Sequence, residues 1–263
     1  MTRSTNGLLV AMLTVLLTLG LAGCGGSDEP PVDDYVEEPV DELYNRAMDL
    51  VADRDFVGAA QAFEEVERQH PYSQWATRSM FMAAWSFYEA RRYNDAIYAS
   101  RRFIDWHPGN ENVPYALYLI AMSHYEQISD VGRDQQQTAD AKLALTELIQ
   151  RYPDTPYARD ANLKLDLVED HLAGKEMEVG RYYQSRSQYV GAINRFEIVV
   201  EDFQTTTHVP EALHRLVECY LALGLREEAI TNAAVLGYNY PGSEWYERTY
   251  ALVTDDRLPP LEL

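Results

Sequence analysis

The sequence predicts an all-α protein in which five helical hairpins stack into a solenoid. From Asp41 onward, apolar residues recur three and four positions apart, as on one face of an α-helix, and the two-residue alternation of β-strands is scarce. A motif that starts at Phe56 returns 37 positions later at Tyr93. A proline follows most copies of this motif, and proline ends a helix because it has no N–H and clashes with the preceding turn.

The N-terminus has the features of a cleaved lipoprotein signal peptide covering residues 1–23. Arg3 supplies a positive charge, and residues 8–19 form an apolar run of 12 residues. This run is too short to cross a hydrocarbon core of ~30 Å, but it fits the hydrophobic segment of a secretory signal. The sequence Leu-Ala-Gly-Cys at 21–24 resembles the bacterial lipobox, in which the cysteine is lipidated. The alternatives are an uncleaved anchor or a chance cysteine after an ordinary signal.

Residues 24–40 are predicted to form a lipidated, flexible tether that begins at Cys24. Positions 25–40 contain two Gly, three Pro and six Asp or Glu, a composition that cannot form a packed core. Even fully extended, this segment reaches at most about 55 Å, so we expect the folded part to stay close to the membrane. Lipoproteins retained in the inner membrane generally carry Asp after the lipidated cysteine. Gly25 therefore favours the outer membrane, with the protein facing the periplasm.

The five hairpins resemble tetratricopeptide (TPR) repeats, whose usual period is 34 residues. Each second helix places a small residue among large ones, and the five copies are Phe56/Ala59/Phe63, Tyr93/Ala96/Phe103, Ala141/Leu145/Leu148, Tyr189/Ala192/Phe196 and Ala229/Ala233/Leu236. The first helices precede them at 43–50, 80–87, 118–125, 176–183 and 213–220. One hairpin leaves an apolar face uncovered, so neighbours must stack to form a continuous core.

Two segments depart from the repeat pattern. Ser129–Gln137 adds about seven residues between the helices of the third repeat, and residues 157–187 are longer than one helix requires. We interpret the second segment as an extra helix that runs into the first helix of the fourth repeat. It joins an N-terminal half of repeats one to three (41–155) to a C-terminal half of repeats four and five (156–253), followed by a tail at 254–263.

Composition and motifs exclude several classes of function. The chain has 42 acidic and 22 basic residues and a net charge of −20, whereas a nucleic-acid binder needs a basic face. The sequence contains no phosphate-binding loop, nucleophile elbow or H-E-x-x-H zinc motif. We therefore predict no enzymatic activity, no cofactor, no metal and no nucleic-acid partner.

Two further features are assigned to structure and not to chemistry. Glu211 and His214 have Glu-x-x-His spacing with Glu218 one turn further, but a di-iron bundle needs two such motifs. We interpret these residues as a solvated helix face. Cys219 lies beside core positions of the fifth repeat and is predicted to be a buried, inert thiol.

A second aromatic stripe predicts a peptide-binding groove. In TPR arrays the concave groove is lined by first-helix positions next to the core set, and Phe81, Trp85 and Tyr88 hold such positions in the second repeat. Tyr44 holds the equivalent position in the first repeat, and Arg78 lies on the same helix face as the stripe. The groove would bind an extended peptide with apolar or aromatic side chains, with Arg78 facing a carboxylate. The alternative is that these rings pack on the tether or on neighbouring helices.

A basic cluster stands out in this acidic chain: Arg78, Arg91, Arg92, Arg101 and Arg102. One interpretation is a set of local salt bridges to acids such as Glu89 and Asp95, each worth ~0–1 kcal/mol. The other is electrostatic steering of an acidic partner or of a peptide carboxylate.

The lipobox, acidic tether and repeats together resemble the BamD family, the lipoprotein subunits of the outer-membrane β-barrel assembly machine. The strings that carry the resemblance are Leu43-Tyr44, Arg102-Phe103-Ile104, the insertion DVGRDQQ at 130–136, RYPDTPY at 151–157 and Asn194-Arg195-Phe196. The resemblance covers about 21–253. Gln204 in place of the closing proline and His70 in place of a common tyrosine depart from the family pattern.

The resemblance implies a non-enzymatic scaffold. Its C-terminal repeats would bind the periplasmic POTRA region of BamA, with Arg195 as the candidate contact, alongside other Bam lipoproteins. Its N-terminal repeats would recognise the C-terminal signals of unfolded outer-membrane proteins. The alternative is another periplasmic TPR lipoprotein, such as a pilotin or an adaptor for a protease or peptidoglycan enzyme, although those are not expected to carry the insertion at 130–136.

Overall fold

The computed structural model describes residues 37–254, and within them it contains eleven α-helices and no β-strand. The predicted all-α fold is therefore confirmed for this part of the chain. The signal peptide, Cys24, the tether up to residue 36 and the tail from 255 lie outside the described residues. Among the helices that are described, none is long and apolar enough to cross a membrane.

Ten of the helices form five consecutive hairpins, and an eleventh follows the last hairpin. The pairs are α1 (Val40–Ala52) with α2 (Phe56–Gln69), α3 (Gln74–Glu89) with α4 (Tyr93–Trp106), α5 (Val113–Tyr125) with α6 (Gln136–Arg151), α7 (Pro156–Ser185) with α8 (Tyr189–Asp202), and α9 (Val209–Ala222) with α10 (Arg226–Asn239). The last helix is α11 (Glu244–Val253). Each helix packs mainly on its neighbours in the sequence, as expected for a TPR-type solenoid.

Four of the five hairpins turn in the same way. Their helices are separated by three residues, and the middle one has a left-handed backbone: Arg54 (φ 61°), Arg91 (φ 57°), Ser187 (φ 59°) and Gly224 (φ 78°). The next backbone N–H then reaches back to a carbonyl five residues earlier, as from Arg92 to Phe87 at 2.9 Å. This hydrogen bond satisfies a carbonyl that the end of the first helix leaves free.

The small residue of each second helix lies where the two helices of a hairpin meet. All five of these residues have no exposed surface: Ala59, Ala96, Ala141, Ala192 and Ala229. Large side chains such as Phe63, Phe103 and Phe196 are also fully buried. The pattern of small and large residues in the sequence therefore corresponds directly to the core.

The third and fourth repeats contain both irregularities. The loop between α5 and α6 runs over 126–135, where the other hairpins have three residues. The following helix α7 is continuous over 30 residues, and the Thr155 side chain caps its start by accepting from the N–H of Ala158. The insertion loop lies against α7, where Lys175 Nζ donates to the carbonyl of Gly132 at 3.2 Å.

Candidate functional site

Tyr44 lies under Arg78 at the N-terminal end of the predicted groove. Its ring is 5% exposed and packs on Trp75 and Phe63, with ring centroids 4.6 and 5.5 Å apart. The Arg78 guanidinium lies 5.4 Å from the centre of the Tyr44 ring, within the range of a cation–π contact. Burial raises the pKa of Tyr44, and the positive charge of Arg78 partly opposes this. Tyr44 therefore acts mainly as a packed support for the exposed Arg78 side chain.

The stripe on α3 is partly buried and partly accessible. Phe81, Trp85 and Tyr88 are each in the intermediate range of exposure, and each ring contacts a ring on another helix. The contacts are Phe81 with Phe103 and Tyr115 (both 5.6 Å), Trp85 with Phe56 (5.7 Å, edge-on) and Tyr88 with Tyr93 (5.9 Å). The three rings thus pack on neighbouring helices and still present an edge or face to solvent.

The aromatic surface continues beyond the residues that the sequence singled out. The ring centroid of Tyr115 on α5 lies 5.0 Å from that of Tyr157 at the start of α7. The ring centroid of Tyr118 lies 5.6 Å from that of Tyr157. The Tyr118 hydroxyl donates to Asp160 Oδ2 at 2.8 Å. Tyr115 and Tyr118 are one helical turn apart, and that spacing is visible in the sequence. The approach of Tyr157 depends on how the third and fourth repeats stack.

Charges of opposite sign lie near the two ends of the α3 stripe. Arg78 is on the first turns of the helix, whereas Glu89 is its last residue. Burial raises the pKa of Tyr88, and together with the negative charges of Glu126 and Glu89 it brings that pKa to about 12. Glu89 also raises the pKa of Tyr115, after the larger effect of burial. Both carboxylates therefore lie close to the C-terminal end of the stripe.

Two members of the basic cluster form local salt bridges. Arg92 Nε lies 2.7 Å from Asp95 Oδ2, and Arg102 Nη2 lies 2.8 Å from Glu67 Oε2. The second pair connects α4 to α2 and is only partly exposed. For these two arginines the structure supports the interpretation as local salt bridges. Arg78 differs from them, because its guanidinium lies over the Tyr44 ring.

Arg195, the candidate partner contact, lies on α8 beside the fully buried Phe196. Its Nη1 is 3.0 Å from Oε2 of Glu176 on α7. The side chains are 40% and 23% exposed, so solvent screens the pair and it contributes little to stability. Arg195 is therefore accessible to a partner, but its charge already has a neighbour of opposite sign.

The predicted solvated face at His214 is wrong. His214 is 4% exposed; its Nδ1 is 2.8 Å from Thr249 Oγ1 and its Nε2 is 3.4 Å from Glu218 Oε1. Glu218 also accepts from Gln184 Nε2 at 2.8 Å and from Arg215 Nη1 at 2.9 Å. The sequence could not reveal this network, because α11 covers the α9 face and Thr249 is 35 residues away from His214. The network connects α7, α9 and α11.

Cys219 and possible clusters of metal ligands are the remaining candidates for chemistry within the described residues. Cys219 is fully buried, as predicted, and burial raises the pKa of its thiol to about 12. Within residues 37–254, no group of three or more His, Cys, Asp or Glu side chains is arranged to hold a metal ion.

Comparison with known proteins identifies the family. Residues 36–236 match the YfiO family, described as an outer membrane lipoprotein. The chain is 49% identical over 251 residues to the outer membrane protein assembly factor BamD of Caulobacter vibrioides, covering 95% of this chain and 82% of that protein. The proteins of the same name from Rickettsia prowazekii and Neisseria meningitidis serogroup A are 43% and 31% identical, covering 93% of this chain and 97% and 96% of theirs. The chain therefore belongs to the YfiO family of outer membrane lipoproteins, whose curated relatives are named outer membrane protein assembly factor BamD.

Proposed function

We propose that this protein is a non-enzymatic scaffold subunit of a β-barrel assembly machine. It is anchored to the outer membrane by lipid on Cys24, faces the periplasm and binds two kinds of protein. The concave surface of the first repeats binds the C-terminal segments of unfolded outer-membrane proteins, and the C-terminal repeats bind the POTRA region of BamA. Other Bam lipoproteins complete the complex.

The observation that carries the proposal is the partly exposed aromatic stripe of α3 inside this family's fold. Phe81, Trp85 and Tyr88 offer ring faces and edges along one side of a helix, and Arg78 stands at one end. Outer-membrane strands end in alternating apolar residues, commonly with a terminal aromatic residue and its carboxylate. Aromatic pairs contribute ~0.5–1.5 kcal/mol beyond the burial of area, so the surface and such a peptide are chemically complementary.

The groove is tested by titrating a labelled peptide that ends in Phe and following its fluorescence polarisation. We expect the double variant Trp85→Ala/Tyr88→Ala to bind about tenfold more weakly, since ~1.4 kcal/mol is one decade. A matched control is Trp106→Ala/Tyr98→Ala, because these rings on α4 are 67% and 70% exposed. Circular dichroism establishes that both variants are folded. Equal affinity in the groove variant and the control would assign the stripe to packing alone.

The BamA contact is tested through the pair of Arg195 with Glu176. Arg195→Glu should weaken binding to a purified POTRA region by about 2–5 kcal/mol if the arginine enters a desolvated pair there. Glu176→Gln removes the neighbour within the chain and leaves Arg195 in place, so it should preserve or strengthen binding. If Glu176→Gln weakens binding as much as Arg195→Glu does, the pair has a structural role and Arg195 is not the contact.

The second candidate function is a different periplasmic TPR adaptor, such as a pilotin or an adaptor for a protease or peptidoglycan enzyme. A pull-down from detergent-solubilised outer membranes separates the two. BamA in the eluate supports the first function, and a secretin or a peptidoglycan enzyme without BamA supports the second.

A further inference from the structure

The face of α3 that bears the aromatic stripe is polar at both ends and aromatic between them. This face carries five residues at spacings of three, four, three and one: Arg78, Phe81, Trp85, Tyr88 and Glu89. At 100° per residue, they lie within an arc of about 100° around the helix axis. Arg78 and Glu89 are eleven residues apart, and at 1.5 Å per residue this separates their positions by about 16 Å along the axis.

The charges at the two ends are not neutralised by partners in the described part of the chain. Among residues 37–254, neither Arg78 nor Glu89 forms a salt bridge, and the same holds for Glu126, which directly follows α5 and lies near Tyr88. All three side chains are exposed. The α3–α4 turn is basic, but Arg92 is engaged with Asp95 at 2.7 Å. The surface therefore has a cationic end over the first repeat and an anionic end between the second and third.

An extended peptide along this face can use both ends only in one direction. A strand advances about 3.3 Å per residue, so about 16 Å corresponds to roughly five residues. We propose that the surface binds a C-terminal peptide with its terminal carboxylate at Arg78 and a Lys or Arg side chain about five residues upstream, facing Glu89 and Glu126. The inference rests on the proposed function and specifies the direction and sequence preference of the same surface.

The aromatic residues explain why the intermediate positions would be apolar. Side chains of an extended peptide alternate between two faces, so every second residue would meet Phe81, Trp85 or Tyr88. A basic residue one position before the terminus would share a face with the fifth position, but it would stand near Arg78 and be repelled. The long stem of Lys or Arg allows some tolerance around the fifth position, because its charged end can reach past an apolar surface.

Register is tested with two twelve-residue peptides of identical composition that end in Phe. One carries Lys five residues before the terminus, and the other carries it ten residues before. Because the two peptides have the same net charge, the net charge of −20 on the protein acts equally on both at long range. We expect the first to bind about fivefold more tightly in fluorescence polarisation, as for an exposed charge pair. In Glu89→Lys/Glu126→Lys this preference should disappear, and a peptide with Glu at the fifth position should become the tighter ligand. Glu111→Lys/Glu201→Lys changes the net charge equally at two other exposed positions and should keep the wild-type preference.

Direction is tested with the free acid and the C-terminal amide of the first peptide. Wild type should prefer the acid by about fivefold, and Arg78→Gln should bind the two equally. One outcome overturns the inference and leaves the groove standing. In it, Trp85→Ala/Tyr88→Ala weakens peptide binding, but the affinity does not depend on the position of Lys, on Glu89 and Glu126 or on the free carboxylate. If no peptide binds, or if binding ignores Trp85→Ala/Tyr88→Ala, the groove and the inference are both overturned.

Discussion

Gly180 on α7 faces the ring of Phe196 on α8 with no room for a side chain between them. A Cβ atom at Gly180 would come within 2.8 Å of Cδ1 and of Cζ of Phe196. Gly180 lies in the first helix predicted for the fourth repeat, at 176–183, and Phe196 belongs to the motif of its second helix. The absence of a side chain at Gly180 therefore allows α7 and α8 to approach over the fully buried Phe196 ring.

Gly180→Ala should destabilise the protein, because the ring must move or the helices must separate, and such overpacking costs about 1–3 kcal/mol. This cost should exceed the ~1 kcal/mol by which alanine favours a helix over glycine. Gly191→Ala on α8 is the matched control, since a Cβ atom there would meet the Tyr183 ring at an ordinary 3.4 Å. Urea unfolding measures the free energy of unfolding of both variants. Equal stability of the two variants would contradict the close approach.

Glu218 makes the stability of the C-terminal repeats dependent on pH. Burial raises its pKa, but hydrogen bonds from His214, Arg215 and Gln184 outweigh burial and lower the pKa from 4.5 to about 2. The carboxylate therefore stabilises the fold above about pH 4.5, and this contribution is lost as pH falls from 4.5 to 2. Glu218→Gln should be less stable than wild type at pH 7 by on the order of 2 kcal/mol.

The difference in the free energy of unfolding between wild type and Glu218→Gln should shrink as the pH falls from 4.5 to 2. Denaturant unfolding at pH 7 and at pH 3 checks this, with Glu111→Gln as an exposed control. A difference that stays constant between the two pH values would assign the effect to side-chain shape and not to the charge.

Cys219 should report on the opening of the fifth repeat. Its thiol is fully buried and its pKa is raised to about 12, and only the thiolate reacts. In a Cys24→Ser background it is the remaining cysteine of the chain. A thiol reagent at pH 8 should therefore label it at the rate of unfolding, and labelling should accelerate in urea. Rapid labelling in the absence of denaturant would contradict the burial.

Cys24→Ser should also move the protein out of the membrane fraction. The lipobox predicts that the acyl chains on Cys24 are the anchor, and serine at this position cannot accept them. Fractionation after a high-salt wash should find the variant in the periplasm and the wild type in the outer membrane. Retention of the variant in the outer membrane would mean that contacts other than lipid hold it there.

The repeats and their core could be predicted from local patterns in the sequence. Ala59, Ala96 and Phe196 could be assigned to the core from their spacing, because the period of an α-helix fixes which residues share a face. Counting residues between copies of the motif also predicted the insertion, placed at Ser129–Gln137 where the structure has its loop at 126–135, and the long helical segment at 157–187, which is α7. Local periodicity suffices for these features, because each hairpin is a local unit whose turn and helix ends are encoded within a few residues.

Contacts between helices far apart in the sequence required the tertiary structure. The spacing Glu-x-x-His predicted exposure for His214, whereas α11 buries it and Thr249 binds it. Periodicity likewise placed Arg195 on α8 but could not reveal Glu176 beside it. A hydrophobic pattern specifies which face of a helix is apolar, but not which neighbour covers the remaining faces. That depends on how the hairpins stack, and the stacking decides which charges are paired and which aromatic edges remain open.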